Sequence, residues 1–492
     1  MARKLDADVI VVGGGPTGLM LAGELRLGGA SVIVAEALER PSGQSRALGF
    51  TTRALESFDQ RGLVERFPGL ETSPMGHFAG VPFDYTVLED ANFGARGIPQ
   101  SQTEAVLEEW AGELGADLRR GLTFLSLEQD AEGVTATVVT ADGRREQLRG
   151  RYLVGADGAR STVRKAAGID FPGTSGSQVM HLADVVGCGV RPRPHGERLP
   201  GGLVQVFPLP DGVDRVILSE YDTSLLGAGE NVEFADVAAA WKRVTGEDIS
   251  GGTPLWVSSF TDATRQAAEY RRGRVLLAGD AAHIHLPVGG QGMSAGVQDA
   301  VNLGWKLAAT VRGRASEGLL DTYHAERHPV GARLLSNTRA QGQAIFGGEE
   351  SQALRELFAE LIALAEVKRQ LAGAVSHIDI RYDIDADGHP LVGRRLPPRT
   401  LETADGPVRT PELLHPAQGV LLDLTDNAAL RAAATGWRSR VTTVTGTPPS
   451  AKTFDGATAL LVRPDGYIAW EGSDPAGLSG ALERWFGTAE AA

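Results

Sequence analysis

Three glycines spaced as Gly13-x-Gly15-x-x-Gly18, with a carboxylate at Glu36, are a set whose types and spacing already describe a chemistry. Gly13 permits a tight turn, Gly15 lets backbone N–H groups approach a pyrophosphate, and Gly18 lets a helix lie close on a strand. Glu36 is placed to accept hydrogen bonds from an adenosine ribose, which suits FAD or NAD and argues against NADP at this site. A second set, Asp280, Pro287, Gly290, Gly292 and Met293, lies far along the chain. A third is the Asp157 turn, Gly155-Ala-Asp157-Gly158, followed by Arg160 and Ser161. His283-x-His285 invites a metal, but no third ligand of suitable spacing is near, so the pair reads as hydrogen-bonding and metal-free. Cys188 is the one cysteine. It excludes an internal disulfide and Cys-x-x-Cys chemistry and reads as a small buried hydrophobe.

These residues need particular elements to hold them. The run 9–12 is apolar and β-branched, as a buried parallel strand is, and an amphipathic helix pattern follows over 18–27. A second strand, 31–35, delivers Glu36. The positive end of the helix then faces the phosphates. The strand 152–154 runs into the Asp157 turn and a helix start. The strand 275–278 delivers Asp280 at its carboxyl end, where open α/β sheets bind ligands. The glycine-rich loop after it opens a long helix over about 293–312, whose N-terminal amides and dipole point into the same crevice.

The rest of the chain supplies surroundings. At 492 residues it exceeds a single ordinary core, so several domains are expected. A net charge of −14 disfavours nucleic acid and anionic membranes as partners. No run reaches the ~18 to 20 apolar residues of a membrane span. The start of the chain enters the first strand directly, with no leader pattern, so a cytoplasmic protein is expected. A helix is expected over 52–61. Residues 64–100 are irregular and aromatic-rich, reading as a short strand excursion beside a ligand cavity. Arg46 lies in a turn-rich loop. Gln100 stands just ahead of a helix over 104–114, where a cap or surface residue is the plain reading.

Residues 117–153 alternate as a β-meander. Residues 170–270 read as a mostly antiparallel sheet, with a helix near 233–246, that floors a substrate pocket. A helix pair over 320–345, a helix over 350–375, a Pro/Gly-rich linker over 385–418 and a compact βαβ-like tail complete the chain. The domain reading is 1–170 with an excursion near 70–100, then 171–270, 271–385 and 386–492.

Taken together, the Gly13-x-Gly15-x-x-Gly18 and Glu36 set, the Gly155-Ala-Asp157-Gly158 turn with Arg160-Ser161, and Gly279-Asp280-Ala281-Ala282-His283 through Gly290-Gln291-Gly292 resemble the single-component FAD-dependent aromatic hydroxylases. This is the group of p-hydroxybenzoate and phenol hydroxylases. The whole chain looks most like the aromatic polyketide hydroxylases, in particular those acting on angucyclines, as in Ile98-Pro99-Gln100-Ser101-Gln102-Thr103-Glu104 and Arg271-Arg272-Gly273-Arg274-Val275.

The resemblance implies a mixed α/β fold: a Rossmann-like FAD-binding domain with an inserted β-sheet substrate domain and a C-terminal thioredoxin-like domain. That last domain has no cysteine for redox work, leaving packing or a homodimer contact as its role. The resemblance also implies that Gly13, Gly15, Thr17 and Gly18 hold the pyrophosphate and Glu36 the ribose. Arg46 would contact the flavin or the nicotinamide nucleotide, and Gln100 the ribityl or phosphate region. Asp157 would serve FAD and NAD(P)H handling, Asp280 the ribityl hydroxyls, and Pro287 with Gly290 to Met293 the flavin pyrimidine.

NADPH would bind transiently, without a Rossmann domain of its own, and O2 would be co-substrate. A flavin C4a-hydroperoxide would then hydroxylate a polycyclic aromatic polyketide in antibiotic biosynthesis, with no side chain an obligatory acid or base. Baeyer–Villiger oxygenation, a flavin reductase without oxygenation, and a non-catalytic flavin binder remain open at this point. A flavin-dependent halogenase is disfavoured, because no Trp-x-Trp-x-Ile-Pro occurs among the seven tryptophans.

Overall fold

A computed structural model gives the fold and describes residues 4–490 except 68, 70, 222–231, 349, 350, 386, 387 and 451. Residues 1–3, on which the leaderless reading partly rests, lie outside that set, as does residue 350 at the start of the helix expected over 350–375.

The chain opens with β1 (Ala7–Val12), α1 (Pro16–Leu27) and β2 (Val32–Glu36). β1 and β2 pair in parallel, Val9 beside Val32 and Val12 beside Ala35. Val9 to Val12 are all buried, as a strand covered on both faces requires. After α2 (Thr52–Asp59), β3 (Met75–Phe78) and β4 (Val81–Asp84) form the expected excursion as an antiparallel hairpin. α3 (Gln100–Glu113) begins at Gln100 itself, so that residue is the first of the helix rather than a residue ahead of it.

β5 (Asp117–Arg120), β6 (Leu122–Gln129), β7 (Val134–Thr140) and β8 (Arg145–Gly155) follow. Only β6 to β8 form the meander, because β5 pairs in parallel with β2. The second half of β8 runs parallel to β1, Tyr152 beside Val9. α4 (Thr162–Ala166) and the short β9 (Gly173–Thr174) lead out of this layer.

The second layer contains β10 (Val179–Val186), β11 (Arg193–Leu199), β12 (Gly202–Leu209), β13 (Val213–Glu220), α5 (Phe234–Thr245) and β14 (Thr253–Thr261). The strands form an antiparallel sheet in the order β11-β12-β13-β10-β14. Trp241, Val237 and Ala240 of α5 pack on Val204, Val206, Val216 and Leu218, covering one face. β15 (Thr264–Gln266), β16 (Arg271–Arg272), β17 (Val275–Leu277) and β18 (His283–Ile284) return the chain to the first layer. There β17 lies parallel to β8, and the main sheet runs β16-β17-β8-β1-β2-β5. The carboxyl ends of β17, β8 and β1 therefore emerge side by side, delivering Asp280, Asp157 and Gly13 to one crevice.

The helices are α6 (Gln291–Val311), α7 (Thr322–Phe346), α8 (Gln352–Ala363) and α9 (Ala365–Ser376). α7 is one helix where a pair was expected, and it continues through Pro329. Proline removes one helix hydrogen bond there, but Tyr323, Glu326 and Arg327 just before it are fixed by buried partners, so the helix does not end. The single helix expected after α7 is instead the two helices α8 and α9, which meet at Leu364 in an extended conformation.

Residues 385–418 are not a free linker. They contain the hairpin β19 (Thr400–Thr403) and β20 (Gly406–Arg409), and Leu391, Val392, Leu396, Leu401 and Leu414 are buried in the C-terminal core. The prolines break regular structure without preventing apolar burial. The tail consists of β21 (Gly419–Asp423), α10 (Ala428–Ala433), β22 (Val441–Thr445), β23 (Ala459–Val462), β24 (Ile468–Glu471) and α11 (Pro475–Phe486). Its sheet order is β22-β21-β23-β24, with β21 parallel to β22 and antiparallel to β23, the thioredoxin-like arrangement. Among the described residues no helix is long and apolar enough to cross a membrane.

Candidate active site

One cavity of about 2380 Å³ runs from the carboxyl ends of β1, β8 and β17 to the open face of the antiparallel sheet. A drug-sized ligand occupies about 300–1,000 Å³, so this space takes two sizeable molecules end to end. Gly15, Thr17, Arg46, Gln100, Asp157, Asp280, Pro287, Gly290, Gly292 and Met293 all line it. Gly13, Gly18 and Glu36 stand behind it and shape the wall.

Gly13 has φ +106°, and a Cβ there would meet the Ala156 carbonyl oxygen at 2.4 Å. A Cβ on Gly18 would stand 2.0 Å from the Gly13 oxygen. Gly15 is the opposite case, since a Cβ there would meet nothing within 4 Å. Gly13 and Gly18 are thus required by the protein itself, while the space at Gly15 is left for something bound. Glu36 accepts hydrogen bonds from Gly14 N at 2.6 Å and Leu38 N at 2.8 Å, which fixes its carboxylate beside the glycine turn. The Thr17 hydroxyl is wedged between Gly279 and Gly296, joining α1, the β17 turn and α6.

α1 and α6 both present N-termini without a side-chain cap, at the N-cap residues Gly15 and Gly290. Asp280 opens onto the cavity, and among the described residues its carboxylate has no hydrogen-bond partner. Although Asp280 is open to the cavity, the surrounding protein raises its pKa from the usual carboxylate value, against the pull of His283 and Arg46. The Asp157 carboxylate turns the other way: it accepts from Ser161 Oγ at 2.6 Å and from the N–H groups of Thr162 and Val163, capping α4. The carboxylate is thus engaged by the start of α4, while the residue itself borders the cavity. Gln100 donates to Glu104 at 2.8 Å, and its backbone N–H donates to Ala47 O at 3.1 Å, which steadies the loop that carries Arg46.

His283 and His285 do not converge. His283 Nε2 lies 2.7 Å from Asp299, whereas His285 Nδ1–H donates to Leu286 O at 2.7 Å. Among the described residues no group of three His, Cys, Asp or Glu side chains could hold a metal.

Several supports could not be read from local sequence. Asp299, deep in α6, accepts from Gly279 N at 3.1 Å and from Arg327 Nε at 2.7 Å, so it holds the Asp280 turn from beneath. Burial opposes its charge, yet Arg327 and His283 keep its carboxyl down to about 2. Arg327 also donates to Tyr382 Oη of the C-terminal core at 3.2 Å. Arg215 of β13 forms a two-pronged ion pair with Asp184 and donates to the Ser45 carbonyl at 2.5 Å. That contact ties the antiparallel sheet to the Arg46 loop. The available signal was a set of polar residues, Asp299, Asn302 and Lys306, spaced along one side of a helix otherwise fit for burial.

Two histidines near the site predict an acid limb in stability. His377, 4% exposed, accepts from Gln298 Nε2 at 2.8 Å. Burial, reinforced by Arg327, pushes its pKa down to about 3, and burial pushes His285 down to about 4. An unfolded imidazole titrates near ~6.5. Between that value and the folded ones, the unfolded chain binds protons that the folded chain refuses. Stability is therefore complete above about pH 6.5 and falls as the pH drops below it. The melting temperature is expected to fall between about pH 6.5 and 5, before carboxylates contribute, and less steeply in His377→Asn. Parallel acid limbs for parent and variant would refute the assignment.

The site's residues fit a flavin adenine dinucleotide: a cradle at Gly15, two bare helix ends and an unpartnered carboxylate at Asp280. Comparison with known proteins agrees. A family model described as FAD binding domain matches residues 6–338, and one described as aromatic-ring hydroxylase, C-terminal, matches 389–489. The chain is 45% identical to the 12-dehydrotetracycline 5-monooxygenase/anhydrotetracycline 6-monooxygenase of Streptomyces rimosus, over 98% of this chain and 99% of that one. It is 44% identical to a rifampicin monooxygenase of Streptomyces venezuelae, over 98% and 99%. The crystal structure of CabE, an aromatic hydroxylase from angucycline biosynthesis, matches with a TM-score of 0.95 and 56% identity, over 99% of this chain and 100% of that one.

Proposed function

Because this chain belongs to the FAD-dependent aromatic-ring hydroxylases, we propose that it hydroxylates a polycyclic aromatic polyketide of the angucycline type, using NADPH and O2, in the cytoplasm and as a step of antibiotic biosynthesis. The observation that carries this reading is the continuity of the cavity from the nucleotide-binding crevice to the open face of the antiparallel sheet. Bound FAD would supply the redox chemistry, hydride acceptance from the nicotinamide and oxygen transfer to an electron-rich ring.

The chain's own residues do the rest. Amides at Gly15 and Thr17 bind the pyrophosphate with the positive end of α1. Glu36, held by Gly14 and Leu38, accepts from the ribose with its remaining lone pairs. Asp280 accepts from the ribityl hydroxyls, and Gln100 supports the same region. Pro287 and the Gly290 to Met293 end of α6 face the pyrimidine, where helix amides favour negative charge. Arg46, exposed and facing the cavity, contacts the flavin or the nicotinamide nucleotide, and the main chain of the Asp157 turn borders that approach. The β3–β4 hairpin and the end of α7 roof the wide part of the cavity, where water must be excluded if reduced O2 is not to escape. In this reading 1–170 and 271–385 hold the cofactor, 171–270 floors the substrate site, and 386–492 buttresses both.

The test is NADPH-dependent O2 uptake by the purified protein with and without an angucyclinone-type polyphenol, with product masses recorded. Substrate is expected to accelerate NADPH oxidation and to yield a product heavier by one oxygen. Flavin reduction that is indifferent to O2 and leaves the substrate without added oxygen would overturn the reading in favour of a reductase.

A further inference from the structure

The floor of the wide end of the cavity is one face of a sheet, and strand register fixes which side chains stand together there. Alternation along β12 sends Val204 and Val206 to α5, and Leu203, Gln205 and Phe207 to the cavity. On β13, Val216 and Leu218 go to α5, which leaves Arg215, Ile217 and Ser219 facing the cavity. The pairings then define three rows across the strands.

The row nearest the Arg46 loop is Phe207, Arg215, Asp184 and Trp256, where Arg215 and Asp184 satisfy each other. The far row contains Leu203 beside Ser219 and Met180 beside Phe260, and Leu286, Val288 and Ile345 pack on it. The middle row reads Gln205, Ile217, Leu182, Ser258. It has an apolar centre and one polar side chain at each end.

Among the described residues neither the Gln205 amide nor the Ser258 hydroxyl has a hydrogen-bond partner. Both are half-buried and line the cavity, so they are free to pair with whatever occupies it. Adjacent strands lie about 4.8 Å apart, so the three steps from β12 to β14 separate the ends of the row by roughly 14 Å. With a hydrogen bond of about 2.8 Å at each end, about 9 Å remains between the two ligand oxygens, a span that suits a flat fused-ring skeleton.

We propose that Gln205, Ile217, Leu182 and Ser258 form the seat for the substrate's long axis, selecting a flat fused-ring aromatic with a hydrogen-bonding oxygen at each end. This rests on the aromatic-substrate reading above. Ile217 and Leu182 cover the ring face. An amide and a hydroxyl can each donate or accept, so phenol and quinone oxygens both fit. A ring system lacking one terminal oxygen leaves Gln205 or Ser258 unpaired against an apolar wall and binds more weakly.

The experiment titrates the FAD-loaded enzyme, by flavin fluorescence, with three angucyclinones: one oxygenated on both terminal rings and two lacking the oxygen at one or the other end. The parent enzyme is expected to prefer the doubly oxygenated ligand by about tenfold, the worth of one such hydrogen bond. Gln205→Leu should abolish the preference at one end only, and Ser258→Ala at the other. Uniform weakening toward all three ligands, or unchanged discrimination, overturns the seat. Product mass reads the functional proposal separately: ligand discrimination without oxygen transfer keeps the seat and removes the hydroxylase. Failure of the parent to bind any of the three removes both.

Discussion

Gly15→Ala is expected to fold and melt close to the parent yet purify without the yellow colour of bound flavin. Gly15 has φ −79° and ψ −178°, a conformation open to alanine, and a Cβ there meets nothing within 4 Å. In the proposed reading the added methyl enters space that the pyrophosphate needs, and it replaces a tolerable N-cap by a poorer one at a cost of ~0.5–1 kcal/mol. FAD affinity should fall at least about a hundredfold, which is about 2.7 kcal/mol, measured by titrating apoprotein with FAD. Gly18→Ala is the control. Its Cβ would stand 2.0 Å from a backbone oxygen, so α1 or the turn must move, and a loss of about 3 kcal/mol or more in stability is expected. A yellow Gly15→Ala with parental affinity, or a Gly18→Ala that melts with the parent, would mean that the two glycines have been given each other's roles.

Glu326→Gln is expected to produce one of the largest losses of stability of any single polar substitution in the chain. Glu326 on α7 accepts from Arg463 NH1 at 2.6 Å and from Lys306 Nζ at 2.7 Å, and both cations have side chains with no exposure. Asn302 and Asp465 complete the cluster. Burial works against the charge on Glu326, but Arg463 and Lys306 hold its carboxyl down to about 2. Burial lowers Lys306 to about 8 even with Glu326 beside it. Removing the carboxylate strands Lys306 and leaves Arg463 with Asp465 alone, and breaking such a group costs about 3–5 kcal/mol, readable by denaturant unfolding at neutral pH.

Adding Lys306→Met to Glu326→Gln should recover part of that loss, because one unpaired charge is removed with its partner. The sign with pH follows from the depressed carboxyl: the contribution of Glu326 is whole above about pH 4.5 and is lost as the pH falls toward 2. A Glu326→Gln protein as stable as the parent would show that the cluster contributes specificity of docking rather than stability.

This cluster also shows where sequence reasoning stops. Tyr323, Glu326 and Arg327 stand close together on α7, but their partners are Leu277 O, Arg463 and Asp299. Nothing local indicates that one helix binds the Asp280 strand, the cofactor turn and the C-terminal unit at once. The 385–418 segment failed as a linker for a related reason: proline and glycine report local backbone freedom, whereas Leu391, Leu396, Leu401 and Leu414 are buried by a distant sheet.

By itself the sequence determined the βαβ start, the turns at Asp157 and Asp280, the glycine loop before α6 and the antiparallel character of 170–270. Each of these depends on neighbours in the chain: alternation, helix periodicity, or glycine where backbones approach. Tertiary structure alone decided that β8 lies between β1 and β17, which brings three distant turns to one crevice. It also decided that the Asp157 carboxylate caps a helix, and that β10 lies between β13 and β14. That last placement sets Gln205 and Ser258 at opposite ends of one row. Strand register and order arise from hydrogen bonds between residues far apart in sequence, and no local propensity encodes which of those pairings closes the core.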